Sequence, residues 1–167
     1  MNKKIILSIL TLLLCITAQA QTWNIGTPTA TNVTATLDAE GTLTISGTGA
    51  MRNFTSTSNR PPWSSRRNDI RTVVVQDGVT NISDFAFSSS TNLTNVVVGN
   101  NVTSIGRNAF SDTNLTSIVI PNALTSIGDY AFRNTGLTSI VIPNSVISIG
   151  HSAFANTNLT CVVIGVV

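Results

Sequence analysis

One histidine, two cysteines, seven carboxylates and nine cationic side chains are the groups of this 167-residue chain with potential for acid–base, metal or nucleophilic chemistry. A general base needs an orienting partner, a zinc site needs several His, Cys or carboxylate ligands, and a calcium loop needs closely spaced acids. His151 stands in a slot that Asp84, Arg107 and Asp129 hold in related segments. A slot that takes acid, base and imidazole reads as exposed and variable, not as a general base or a ligand. No second histidine or cysteine is spaced to build a zinc site with it, and no acidic run has calcium-loop spacing. Serine and threonine are abundant but have no base set beside them, so nucleophilic catalysis lacks a constellation. The expectation is a protein without enzymatic activity, cofactor or metal.

One charge cluster stands out. Arg52, Arg60, Arg66, Arg67 and Arg71 fall within twenty residues, with Asp69 the one acid among them. The cluster is a candidate contact for acidic glycans or an acidic partner surface, set against the alternative of a solvated loop.

The N-terminus has a different character. Met1 to Lys4 is a short basic start, and Ile5 to Ile16 is apolar except for Ser8 and Thr11. Ala18 and Ala20 then supply the small residues of an A-x-A cleavage site, so residues 1–20 read as a secretory signal peptide cleaved after Ala20. Leu14 precedes Cys15, where a lipid-attachment box requires a small residue, so lipidation is not expected. Cleavage removes both lysines and lowers the formal charge from +2 to about zero, which leaves no global electrostatic case for nucleic acid. It also removes Cys15, so Cys161 has no intramolecular partner even in an oxidising compartment. No later segment is long and apolar enough to span a membrane.

What positions the remaining side chains is a repeat. Residues 102–123 read VTSIGRNAFSDTNLTSIVIPNA, 124–145 read LTSIGDYAFRNTGLTSIVIPNS, and 146–167 read VISIGHSAFANTNLTCVVIGVV. Residues 79–101 form an earlier unit with one extra residue between Phe87 and Leu93, and IRTVVVQDG at 70–78 matches a half unit. A fixed period of 22 predicts a solenoid in which each turn buries its apolar face against its neighbours. Along each strand alternation turns Ile118 and Ile120 inward and Ser117 and Val119 outward. Pro121 and Pro143 end their strands, because proline cannot donate to a continuing ladder. Gly106, Gly128 and Gly150 mark a turn expected to need positive φ. The Ala-Phe segment has room for a 3₁₀ turn or a short second strand.

The unit I-G-x-x-A-F…L-T-S-I-x-I-P-N resembles the leucine-rich repeat of BspA-type bacterial surface proteins. ATLDAEGTLTISGTGAM at 35–51 and PPW at 61–63 resemble the region that often precedes such repeats. The resemblance implies a leucine-rich repeat solenoid, a β-rich right-handed superhelix with short strands and turns or 3₁₀ segments. It also implies a secreted or cell-surface location and, in some relatives, adhesion to host matrix proteins or other cells. Residues 21–69 read as an N-terminal capping region. Within it Thr34–Leu37 and Thr42–Ser46 alternate about Asp38-Ala39-Glu40-Gly41, a β-hairpin signal, and Trp23 or Trp63 serves as apolar plug. Residues 70–167 carry the repeats, one half unit plus four units. The last unit ends at Ile164-Gly165-Val166-Val167 without a matching cap. That pattern is expected of a chain shortened relative to its relatives, or of an end that pairs with another molecule.

Outward strand positions stack into two columns. Thr72, Asn95, Ser117, Ser139 and Cys161 form one, beside Val74, Val97, Val119, Val141 and Val163. A valine stripe flanked by small polar groups is a flat, partly apolar surface suited to a protein or cell-surface ligand, although valine also suits any strand position. Cys161 either is a chance replacement of serine or joins two chains through a thiol. Phe85 and Tyr130 mark a second exposed position. The functional expectation is a non-enzymatic, adhesin-like binding protein. The alternatives are a structural repeat protein that self-associates through its C-terminal end or Cys161, and a carbohydrate-binding module, which would need more aromatic platforms than Phe85 and Tyr130.

Overall fold

The computed structural model of the chain describes residues 20–165. The expected signal peptide therefore lies, apart from Ala20, outside the described residues, as do Val166 and Val167. Five strands precede the repeats: β1 (Gln21–Asn24), β2 (Gly26–Thr27), β3 (Val33–Leu37), β4 (Thr42–Gly47) and β5 (Ala50–Met51). The repeats supply β6 (Thr72–Val75), β7 (Asn81–Ile82), β8 (Asn95–Val98), β9 (Ser104–Ile105), β10 (Ser126–Ile127), β11 (Ser139–Ile142), β12 (Ser148–Ile149) and β13 (Cys161–Ile164). Two 3₁₀ segments, Ala30–Asn32 and Ser64–Asp69, complete the elements.

The β3–β4 hairpin forms as its alternation predicts, antiparallel, with Ala35 opposite Ile45 and Leu37 opposite Leu43. Its second strand then pairs in parallel with β6, which pairs in parallel with β8, giving one sheet in the order β1-β3-β4-β6-β8. Leu43 and Ile45 thus stand in register with Val73 and Val75, and the hairpin continues the inner layer of the repeats. A second, wholly parallel ladder runs along another side of the turns in the order β7-β9-β10-β12. Its paired residues are 23 apart in the first step and 22 in the next two, which places the extra residue in the first complete unit. The result is the expected solenoid.

The middle turns contribute the same inward set. Ile105, Ala109, Phe110 and Leu115 of one turn and Ile127, Ala131, Phe132 and Leu137 of the next are all buried. The phenylalanines form a continuous stack: Phe87, Phe110, Phe132 and Phe154 lie with successive ring centroids 5.3, 5.4 and 5.3 Å apart and near-parallel planes. Trp63 extends the stack at 6.0 Å from Phe87, and its indole Nε1 donates to the carbonyl of Ala86 at 2.9 Å. Trp63 is buried, while Trp23 packs beside it, partly covered. Such offset aromatic contacts add to the burial of each ring.

The Ala-Phe segments are neither 3₁₀ helix nor strand. They are runs of turns whose N–H groups donate sideways to the next turn: Phe85 to Arg107, Phe87 to Ala109, and Ser89 to Ser111. This conformation requires positive φ at Phe85, Asn108, Tyr130 and Ser152, and again at Ser89, Asp112, Asn134 and Asn156. The expectation that Gly106, Gly128 and Gly150 hold the positive φ is therefore corrected. Those glycines have ordinary φ and serve close approach instead: a Cβ on Gly128 would stand 2.6 Å from the Arg107 nitrogen and 2.7 Å from the Gly106 carbonyl carbon. The strained backbone falls two residues later, where Asn108 bears it more readily than the aromatic residues do.

Candidate functional site

The valine column is exposed where it can be compared across turns. Val97, Val119, Val141 and Val163 are 51, 82, 50 and 37% exposed, whereas Val74, beside the hairpin, is half-buried. Asn95, Ser117, Ser139 and Cys161 flank them and are exposed, and Thr72 is half-buried like its neighbour Val74. The inward residues between them, Ile118, Ile120, Ile140 and Ile142, are buried, so the alternation holds through both units.

The column is not carried by one sheet. β6 pairs with β8, and β11 pairs with β13 through Val141 opposite Val163 and Ser139 opposite Cys161. Between these pairs, Ser117–Ile120 forms no ladder with either neighbour. The register of that turn is held elsewhere, by the β9 pairings to β7 and β10 and by the Phe110 stack. That turn has no main-chain ladder on the valine side, and Val119 is the most exposed member of the column.

The arginine cluster divides. The Arg52 guanidinium lies 5.5 Å from the Phe54 ring centroid, with its Nε buried and unpartnered. Arg66 Nε donates to Asp69 at 2.8 Å in an exposed ion pair, which adds little stability. Arg71 is exposed at the start of the repeats, its aliphatic stem beside Gly41. Arg60 and Arg67 instead border a cleft against the first complete turn.

The remaining chemical groups are apart from one another. His151 is exposed, its ring edge-on to Tyr130 at 5.6 Å between centroids, and its main-chain N–H donates to Asp129 Oδ1 at 2.7 Å. Asp84 makes the same bond to the N–H of Arg107. The slot read as merely variable therefore has a structural use when aspartate fills it: the carboxylate satisfies a main-chain donor of the following turn. Tyr130 and Phe85 are half-buried, and Arg133 lies 5.8 Å from the Tyr130 ring centroid. Cys161 is exposed on β13 as a free thiol. Among the described residues no group of three or more His, Cys, Asp or Glu is placed to hold a metal ion. No helix among them is long and apolar enough to cross a membrane.

Comparison with known proteins agrees with this architecture. Residues 65–166 match the family model described as the BspA type leucine rich repeat region, in six copies. A leucine-rich repeat protein of Eubacterium ventriosum is 34% identical over 87% of this chain and 44% of that one, with a TM-score of 0.70. One from Bacteroides ovatus is 27% identical over 79% of this chain and 39% of that one, with a TM-score of 0.58. The leucine-rich repeat protein of T. pallidum, 23% identical over 80% of this chain and 69% of that one, shares the fold with a TM-score of 0.57. The chain spans less than half the length of the first two. No curated protein matches it.

Proposed function

We propose, for a chain that belongs to the BspA type leucine-rich repeat family, a non-enzymatic, adhesin-like function at the cell surface or in the secreted state, in which the valine column binds a protein or cell-surface ligand. The observation that carries this reading is the run of four exposed valines flanked by Asn95, Ser117, Ser139 and Cys161. Each such valine leaves apolar surface in water that a partner could cover, at roughly 25 cal/mol per Å² buried. Leucine-rich repeat domains generally mediate protein interactions, and stacked repeats present many similar positions to one large partner. The interrupted ladder at Ser117–Ile120 places the most exposed valine in the middle of the column.

Binding of the purified chain to an array of matrix proteins and glycans tests the function. For any ligand captured, Val119→Lys and Val141→Lys are each expected to weaken binding at least tenfold, since each sets a charge against a desolvating apolar contact. Both side chains point away from the core, so melting temperature should stay within a few degrees of the parent. Unchanged affinity in both variants would remove the valine column as the binding face. Export is tested separately: the mass of chain recovered from the exterior of a secreting host should correspond to a start at Gln21. Recovery of full-length chain only from inside the cell would overturn secretion.

A further inference from the structure

A second candidate site shares no lining residue with the valine column. The loop preceding and including the 3₁₀ segment Ser64–Asp69 meets the turn Phe85–Ser90 across a cleft of about 270 Å³. Arg60 and Arg67 line it, and no carboxylate does. Arg60 Nε donates to the carbonyl of Ser56 at 2.9 Å, which leaves its two terminal nitrogens without a protein partner, and Arg67 makes no side-chain hydrogen bond or ion pair among the described residues. Asp84, next to Phe85 in the chain, is committed to the N–H of Arg107. The side chains of two arginines thus border one space that no carboxylate lines.

The opposite wall is hydroxyl-rich. Ser90 is fully buried, lines the cleft, and has an Oγ with no hydrogen-bond partner. A buried hydroxyl without a partner loses hydrogen bonding that water would give it, and a ligand group that reached it from the cleft would restore that bond. Ser64 and Ser89 line the same space, and the half-buried Phe85 supplies an apolar surface. The wall is built on a rigid support, because Trp63 Nε1 is bonded to the carbonyl of Ala86 and its ring stacks on Phe87. The residue that lengthens this unit to 23 falls between Phe87 and Leu93, within or beside the serine run.

We propose that this cleft binds a single acidic sugar unit, a monosaccharide residue bearing a carboxylate. Planar guanidinium groups match a carboxylate through paired N–H donors. The serine hydroxyls match ring hydroxyls, and Phe85 matches the apolar face of a pyranose. The volume is just below the range of about 300–1,000 Å³ that holds drug-sized ligands, which suits one pyranose ring. This site is independent of the valine column, and either can fail without the other.

Titration of the purified chain with glucuronic acid, followed by nuclear magnetic resonance shifts, tests the assignment. Glucuronate is expected to bind saturably, with shifts confined to the cleft, and to weaken at least threefold between 50 and 300 mM salt because exposed charge pairs are screened. Glucose should bind at least tenfold more weakly. Arg60→Ala and Arg67→Ala should each reduce glucuronate affinity about tenfold without altering the melting temperature, since both side chains are exposed. Ser90→Ala should reduce it by a smaller factor. Equal binding of glucose and glucuronate, or unchanged affinity in both arginine variants, would overturn the site. Inorganic sulfate competing as well as glucuronate would overturn the sugar assignment in favour of bare anion binding. Tighter binding of a short glutamate peptide would overturn it in favour of an acidic protein partner.

Discussion

Phe110→Ala is expected to lower the stability of the chain by about 3–5 kcal/mol, the range for a large buried aromatic side chain truncated to a methyl group. Phe110 is fully buried, and its ring is stacked on both sides, 5.3 Å from Phe87 and 5.4 Å from Phe132. Its removal opens a cavity in the middle of the stack and takes an aromatic contact from each of two neighbours. In a solenoid each turn is held only by the turns beside it, so the loss falls on two interfaces at once. Phe154 gives the internal comparison. It stacks on Phe132 at 5.3 Å but is only partly buried, because no further aromatic ring packs on its other side among the described residues. Phe154→Ala should therefore cost well under half as much. Urea denaturation of both variants measures the difference, with the midpoint shifting and the slope showing whether the repeats still unfold together. Equal losses at the two positions would mean that the stack does not transmit stability between turns.

These expectations show where the sequence was readable. Inward positions such as Ile105, Ile127, Phe110 and Phe132 were legible because strand alternation and a constant period together set apolar residues at the same places in successive turns. The hairpin was legible from the alternation over Thr34–Leu37 and Thr42–Ser46, within one residue at each strand's outer end of the observed strands, since a one-residue slip would turn Ala35 and Ile45 to solvent. That its second strand joins β6 was not legible, because pairing between non-consecutive strands leaves no local signature. Nor was the break at Ser117–Ile120, whose residues repeat unchanged at 139–142 while the hydrogen bonding differs. Identical outward residues can sit on a paired or an unpaired strand, since the period is maintained by the interior and by the second ladder.

The chemistry-bearing residues were harder still. Five arginines close in sequence look like one patch, yet Arg66 is matched by Asp69, Arg52 lies against Phe54, and only Arg60 and Arg67 share a cleft. The far wall of that cleft comes from residues 18 to 30 positions later, in the next unit. Its one sequence signal was the serine run with an inserted residue at the only irregular spacing of the repeat. The aspartates at 84 and 129 were masked by the opposite effect: a slot shared with Arg107 and His151 looked unconstrained, although a carboxylate there satisfies the next turn.

Gly128→Ala separates the two explanations for the repeated glycine. A glycine kept for positive φ and one kept for close approach are indistinguishable in sequence, but they respond differently to a methyl group. At Gly128 φ is ordinary, so alanine meets no torsional penalty there. It would instead place its Cβ 2.6 Å from the nitrogen of Arg107 and 2.7 Å from the carbonyl carbon of Gly106, both main-chain atoms of the preceding turn. Neither can move aside as a side chain would. The Gly128 N–H also donates to the carbonyl of Ile105 at 2.8 Å, which holds the two turns at that separation. Relief requires the turns to part, with loss of that bond and of packing around Ile105 and Ile127, and overpacking of this kind costs about 1–3 kcal/mol or more. Gly136→Ala is the control in the same turn, because its nearest neighbour is a methyl carbon of Thr116 at 3.4 Å. It should be neutral or slightly stabilising, as alanine also narrows the unfolded ensemble. Thermal melts of the two variants decide the matter. Similar behaviour of Gly128→Ala and Gly136→Ala would show that the turns can separate freely, and would remove close approach as the reason for the glycine.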